Sequence, residues 1–187
     1  SRRRHTRYPL VTGVQTCALP ILDSHGIARL SGYVRLWEVK RVNARPNIRV
    51  IHETPSTAVV DGDSGLGLVV APFAMKLAIE KARQCGTGWV SVQHSNHFGI
   101  AAHYAMMALE EDMIGIAMTN ASPLVAPTFS IDKMLGTNPI CVAAPAGKEP
   151  AFVADLATTT AANGKLEIRS EEHTSELQSR VDISYAV

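Results

Sequence analysis

Four stretches of this chain carry side chains able to do chemistry. In the first, Ser24-His25-Gly26 is followed by Arg29 and Tyr33. If a helix begins near Asp23, His25, Arg29 and Tyr33 stand at i, i+4 and i+8 and share one face. Such a stripe could grip a small anion, with the Arg29 fork on a carboxylate and His25 and Tyr33 reaching its other oxygens. The same spacing also fits a solvated polar face capped by Ser24. In the second, Ser95-Asn96-His97-Phe98-Gly99 lies where a strand gives way to a helix, the usual ligand side of an α/β sheet. There His97 is either a proton donor and acceptor near neutral pH or a structural histidine. His94 and His103 raise the question of zinc. Their spacings to His97 match no standard ligand pattern and neither Cys85 nor Cys141 is near in sequence, so no metal is expected.

The third stretch is Gly136-Thr137-Asn138-Pro139, with Thr119-Asn120 at the end of the preceding strand. Turn chemistry alone would explain these residues. The fourth is Asp155-Leu156-Ala157-Thr158-Thr159-Thr160-Ala161 with Gly164-Lys165 beyond it. Its hydroxyls, amides and lysine after a strand suit either phosphate binding or a plain turn. Gly62, Gly65 and Gly67 before an apolar run suggest a dinucleotide fingerprint, but the third glycine of G-x-G-x-x-G is absent.

These groups must be placed by the elements around them. Ile27, Leu30, Val34 and Trp37 recur at helical spacing, which predicts an amphipathic helix over 23–41. Two short strands are predicted at 48–52 and 57–60, then a turn at Asp61-Gly62-Asp63. Ser64 or Asp63 should cap a long helix that runs through Ala82 and is closed by Gly86 and Gly88. A buried strand over 89–93, a small-residue helix over 100–110 and a strand over 114–118 follow. A long loop over 121–135 then leads to strands at 139–144 and 151–156. Alternating strands and helices indicate an α/β fold.

The two ends of the chain read differently. The run from Arg169 to Ser179, with Ile183 to Val187, resembles the in-frame translation of a common sequencing-library adapter. Val11 to Ile21 resembles the same adapter on the opposite strand, and Ser1 to Arg7 fits its outer arm. Residues 1–21 and 169–187 are therefore expected to lie outside the fold, leaving 22–168 as an internal piece of a larger protein. Six of the 18 basic and four of the 17 acidic residues fall in these flanks, so the inner segment keeps 12 and 13 and a formal charge of −1. The basic amino-terminal arm then gives no reason to expect nucleic acid. Two cysteines inside the segment are too few for a disulfide framework and suit a reducing cytoplasm, and no apolar run is long enough for a membrane span.

In order and wording, the inner segment resembles the malate/L-lactate dehydrogenase family of the second, non-Rossmann type. The resemblance is carried by Asp23-Ser24-His25-Gly26 with Arg29 and Tyr33, Gly62-Asp63 with Gly65-Leu66-Gly67, and Ser95 to Gly99 with Tyr104. It continues through Thr119-Asn120, Pro127, Gly136 to Pro139, and Asp155 to Thr158. Leu68 departs from the glutamine usual there, and Phe129-Ser130 from a glycine pair. The resemblance implies an α/β fold with a partial, mostly antiparallel or mixed sheet and flanking helices. It also implies a homodimeric, cytoplasmic oxidoreductase of 2-hydroxy or 2-oxo acids that uses NAD or NADP. His97 and His25 would be the proton-transfer candidates. Ser24, Arg29, Tyr33 and Asn120 would hold the substrate. Thr137, Asn138 and the run Asp155, Leu156, Ala157, Thr158, Thr159, Thr160 and Ala161 would contact the cofactor. The competing classes are a non-catalytic α/β binding module and a zinc hydrolase built on the histidines.

Overall fold

The computed structural model describes residues 29–159. They form two small sheets linked by helices. Helix α1 spans Leu30–Glu38, β1 Arg49–Glu53, β2 Thr57–Gly65, α2 Gly67–Cys85 and β3 Trp89–Ser95. Helix α3, Ala101–Met107, continues as a 3₁₀ turn at Ala108–Glu111; β4 (Gly115–Met118), β5 (Ile140–Ala144) and β6 (Phe152–Leu156) follow. The first sheet has the order β1-β2-β3, with β1 antiparallel and β3 parallel to β2. The parallel pair is joined through α2, the connection that parallel strands require. The second sheet is the antiparallel order β4-β5-β6. Antiparallel pairing therefore predominates, as expected, but in two sheets.

Small residues bring α3 onto the second sheet. Ala101, Ala102, Tyr104, Ala105 and Met106 on α3 form one core with Ala117, Cys141 and Ala143. Gly115 marks how closely the layers approach, since a Cβ there would lie 1.9 Å from the Ala105 carbonyl oxygen. In the first sheet's layer, Lys81 of α2 is 4% exposed and donates to Glu53 at 2.7 Å and to the Thr54 carbonyl at 2.6 Å. Buried ammonium groups persist only when hydrogen-bonded in this way, and the contact ties α2 to the β1–β2 turn.

Four expectations are corrected. The 61–63 turn is part of β2, where the register with β3 breaks between Asp61 and Gly65 and Asp63 and Ser64 take φ of 49° and 58°. Asp61 accepts from the Asp63 amide at 2.9 Å, and Asp63 accepts from the Asn43 side chain and the Asn47 amide, both at 2.9 Å. The acidic side chains are thereby spent on the strand, and the N-cap of α2 is Leu66, with no side-chain cap. Gly86 does end α2, in the left-handed region at φ 80°. Strand β3 is largely exposed instead of buried, since among the described residues only β2 pairs with it. Helix α1 is shorter than expected at its C-terminus and presents its apolar stripe outward, Trp37 being 55% exposed, while Tyr33 on the polar stripe is buried. The start of that expected helix, and both flanks, lie outside the described residues.

Candidate active site

His97 sits in the turn between β3 and α3, and that turn is fastened to the start of α2. The Asn96 amide donates to the Gly65 carbonyl at 3.1 Å, and the Gly67 amide donates to the His97 carbonyl at 3.1 Å. The Asn96 side chain donates to the Ser64 and Gly65 carbonyls at 2.8 and 3.3 Å. Gly67 has to be glycine for this fit, because a Cβ would lie 2.4 Å from Phe98 Cβ and 2.5 Å from the Asn96 carbonyl oxygen. On the far side, buried Tyr104 donates its hydroxyl to the Phe98 carbonyl and stacks on the Phe98 ring. Burial pushes the Tyr104 hydroxyl well above the usual phenol range, so it stays a donor.

Against this rigid turn, α1 presents Tyr33. Its hydroxyl lies 2.7 Å from His97 Nδ1 across 64 residues of sequence. The Gly99 amide also donates to Nδ1, at 3.3 Å. A backbone amide can only donate, so Nδ1 is an acceptor, the Tyr33 hydroxyl is the donor, and the neutral ring carries its proton on Nε2. Burial raises the Tyr33 pKa, while the positive charge of Arg29 acts in the opposite direction. Arg29, Tyr33 and His97 are thus brought to one place. Ser24 and His25 lie outside the described residues, as do Thr160 and Ala161.

A second set of expected residues gathers at one end of the β4–β6 sheet. The Met118–Ile140 and Ile140–Leu156 pairings put the loops after β4, before β5 and after β6 side by side. The Thr137 carbonyl accepts from both the amide and the hydroxyl of Thr158, at 2.8 and 3.0 Å. Asn138 accepts from the Ala121 amide at 2.9 Å, next to Asn120. Ala157 and Thr159 lie in the same loop as Thr158. Asp155 accepts from the Ala102 amide at 2.8 Å in the first turn of α3, the helix that follows the His97 turn. Through that contact the two sets are joined.

The three central histidines do not converge. His94 takes φ 49° and lies 3.2 Å from Asp61, and His103 packs edge-on against Tyr104 with its Nδ1 buried and unpartnered. Among the described residues, no three His, Cys, Asp or Glu side chains could hold a metal ion. Cys141 is a poor nucleophile at neutral pH, since burial, with Asp155 adding to it, pushes its thiol up to about 11. Sequence reasoning missed the Asn96 strut, the Gly99 amide and the Asp155 cap. Asn96 had a legible signal, an asparagine at a strand end; the Gly99 amide has no side chain to read.

The family model of malate/L-lactate dehydrogenase matches residues 18–176. A malate dehydrogenase of Pyrococcus abyssi is 54% identical over 147 residues, which is 79% of this chain and 40% of that protein. An L-sulfolactate dehydrogenase of Methanocaldococcus jannaschii is 46% identical over 143 residues, 76% of this chain and 41% of that one. The solved malate dehydrogenase of Pyrococcus horikoshii OT3 superposes with a TM-score of 0.77 at 50% identity, covering 87% of this chain and 47% of that structure. The chain spans about two fifths of the length of these curated relatives. With a family match over most of its residues and a shared fold, the chain belongs to the malate/L-lactate dehydrogenase family.

Proposed function

We propose that the protein to which this chain belongs is a nicotinamide-dependent oxidoreductase of small 2-hydroxy and 2-oxo acids. The observation that carries the proposal is the meeting of Arg29, Tyr33 and His97: a guanidinium whose charge acts on a phenol that is hydrogen-bonded to an imidazole, groups suited to binding a carboxylate and moving a proton. Arg29, with Ser24, Tyr33 and Asn120, binds and orients the substrate. Its guanidinium takes the carboxylate as a fork, and fixing the reacting carbon in this way is worth several kcal/mol, on the order of 7 for well-aligned cases. His97 moves the proton on the substrate oxygen, with His25 as the second candidate.

The loop cluster at the end of the second sheet fits a nucleotide. Thr137, Asn138, Ala157, Thr158 and Thr159 lie at neighbouring loop tips held in order by the Thr158–Thr137 and Ala121–Asn138 hydrogen bonds, a loop cluster against which a ribose and phosphates would be held. Asp155 and Leu156 precede them, and Thr160 and Ala161 follow. A nicotinamide held there supplies or accepts hydride at the carbon next to the carboxylate. NAD and NADP both suit these groups. A homodimeric, cytoplasmic enzyme is the form proposed for the full-length protein.

The test is absorbance of the reduced nicotinamide with the full-length protein, NADH or NADPH, and a panel of 2-oxo acids, with malate and lactate in reverse. Turnover of at least one acid is expected, and none from the 187-residue chain alone. No turnover with either cofactor across the panel rejects the proposal.

A further inference from the structure

We infer that Tyr33 relays the proton between the substrate hydroxyl and His97 Nδ1, beyond any part it takes in binding the carboxylate. The inference rests on the dehydrogenase reading above and adds a residue to its chemistry. His97 Nδ1 has one in-plane lone pair. The Gly99 amide approaches it at 3.3 Å and the Tyr33 hydroxyl at 2.7 Å, so the shorter and stronger bond belongs to the phenol. A substrate oxygen approaching this lone pair therefore meets the Tyr33 oxygen first.

In the oxidative direction, the substrate O–H bond breaks and its proton passes to the Tyr33 oxygen. The Tyr33 proton passes to Nδ1, leaving His97 doubly protonated and positively charged. The carbonyl forms as the C–H electron pair leaves as hydride to the oxidised nicotinamide. In the reductive direction each transfer reverses, and Tyr33 ends neutral both ways. The environment suits this role. Burial keeps the Tyr33 hydroxyl protonated at neutral pH, and the Arg29 charge favours negative charge on its oxygen during transfer. The rigid His97 turn fixes the acceptor, and α1 fixes the donor.

Two measurements test the relay. Nitrogen-15 NMR of the histidines in the 187-residue chain at neutral pH needs no cofactor. It should show His97 protonated on Nε2 with Nδ1 accepting a hydrogen bond; a proton on Nδ1 would overturn the relay. In the full-length protein, Tyr33→Phe should lower kcat by about tenfold or more while KM changes by less than about threefold. Added to His97→Ala it should cost nothing further, since the two act as one unit. A Tyr33→Phe variant with intact kcat and a raised KM would make Tyr33 a binding side chain only. A wild-type protein that turns over nothing sinks the dehydrogenase reading together with the relay, whereas an active protein indifferent to Tyr33→Phe sinks the relay alone.

Discussion

The two halves of the molecule hold the site by different means. On the β1–β3 side, the His97 turn is kept in place by hydrogen bonds: Asn96 to Ser64 and Gly65, Gly67 to His97, and Asp63 to Asn43 and Asn47. On the β4–β6 side, α3 lies on Gly115, Ala117, Cys141 and Ala143 with almost no polar contact except Asp155 to Ala102. Hydrogen bonds fix direction at a net contribution of about 1 kcal/mol each, whereas close packing fixes distance and resists any added volume. The polar half sets where His97 points, and the packed half sets how far α3 stands from the loops proposed to hold the cofactor.

Substitutions that add or remove one group in each half should separate these roles. The largest effect is expected for Gly115→Ala, where the new methyl meets the Ala105 carbonyl oxygen at 1.9 Å and neither backbone can yield. A loss of about 3 kcal/mol in urea unfolding is expected, the upper end for overpacking. Unchanged stability would mean that α3 does not pack as described. Gly67→Ala should cost about 2 kcal/mol, less because its closest approaches, 2.4 Å to Phe98 Cβ and 2.5 Å to the Asn96 carbonyl oxygen, are longer than 1.9 Å, and should in addition displace the His97 turn. Asn96→Ala should cost about 1 kcal/mol by the same denaturation measurement while broadening the His97 ring signals in NMR. If Asn96→Ala leaves those signals sharp, the polar strut does not orient His97.

The smallest effect is one of pH. Burial lowers the pKa of His103 below its ordinary 6.5, so the unfolded chain takes up a proton first as the solution is acidified. The stability that neutral His103 contributes is complete above about pH 6.5 and is lost as pH falls from there through the lower folded value. Replacing it, His103→Phe, should flatten the thermal-stability profile in that window. An equal slope in both proteins would show that His103 is not the group responsible.

Much of the framework was legible because it depends on local signals. The small-residue helix over 101–107, the strands at 115–118, 140–144 and 152–156, and the Gly86 stop follow from periodicity and turn chemistry. What escaped was set by partners distant in sequence. Asp61 and Asp63 have the composition of a turn, yet their carboxylates bind Asp63's own amide and residues 43–47, which extends β2 through them. The apolar stripe of α1 suggested burial, but periodicity shows that a face is apolar without naming what covers it; Tyr33 is buried because His97 lies against it. Within the site, residue types identified Arg29, Tyr33 and His97 as candidates. The direction of the Tyr33–His97 hydrogen bond required the Gly99 amide, which no side-chain pattern records.

The central claim is that Arg29 and His97, more than sixty residues apart, serve one substrate. Steady-state kinetics of His97→Ala in the full-length protein, set beside Arg29→Lys, tests it most directly. Loss of the general acid–base group should lower kcat by on the order of 10²-fold, while Arg29→Lys should act mainly by raising KM, since an ammonium cannot reproduce the bidentate fork. A His97→Ala variant with undiminished kcat toward an acid that the wild type turns over would contradict it.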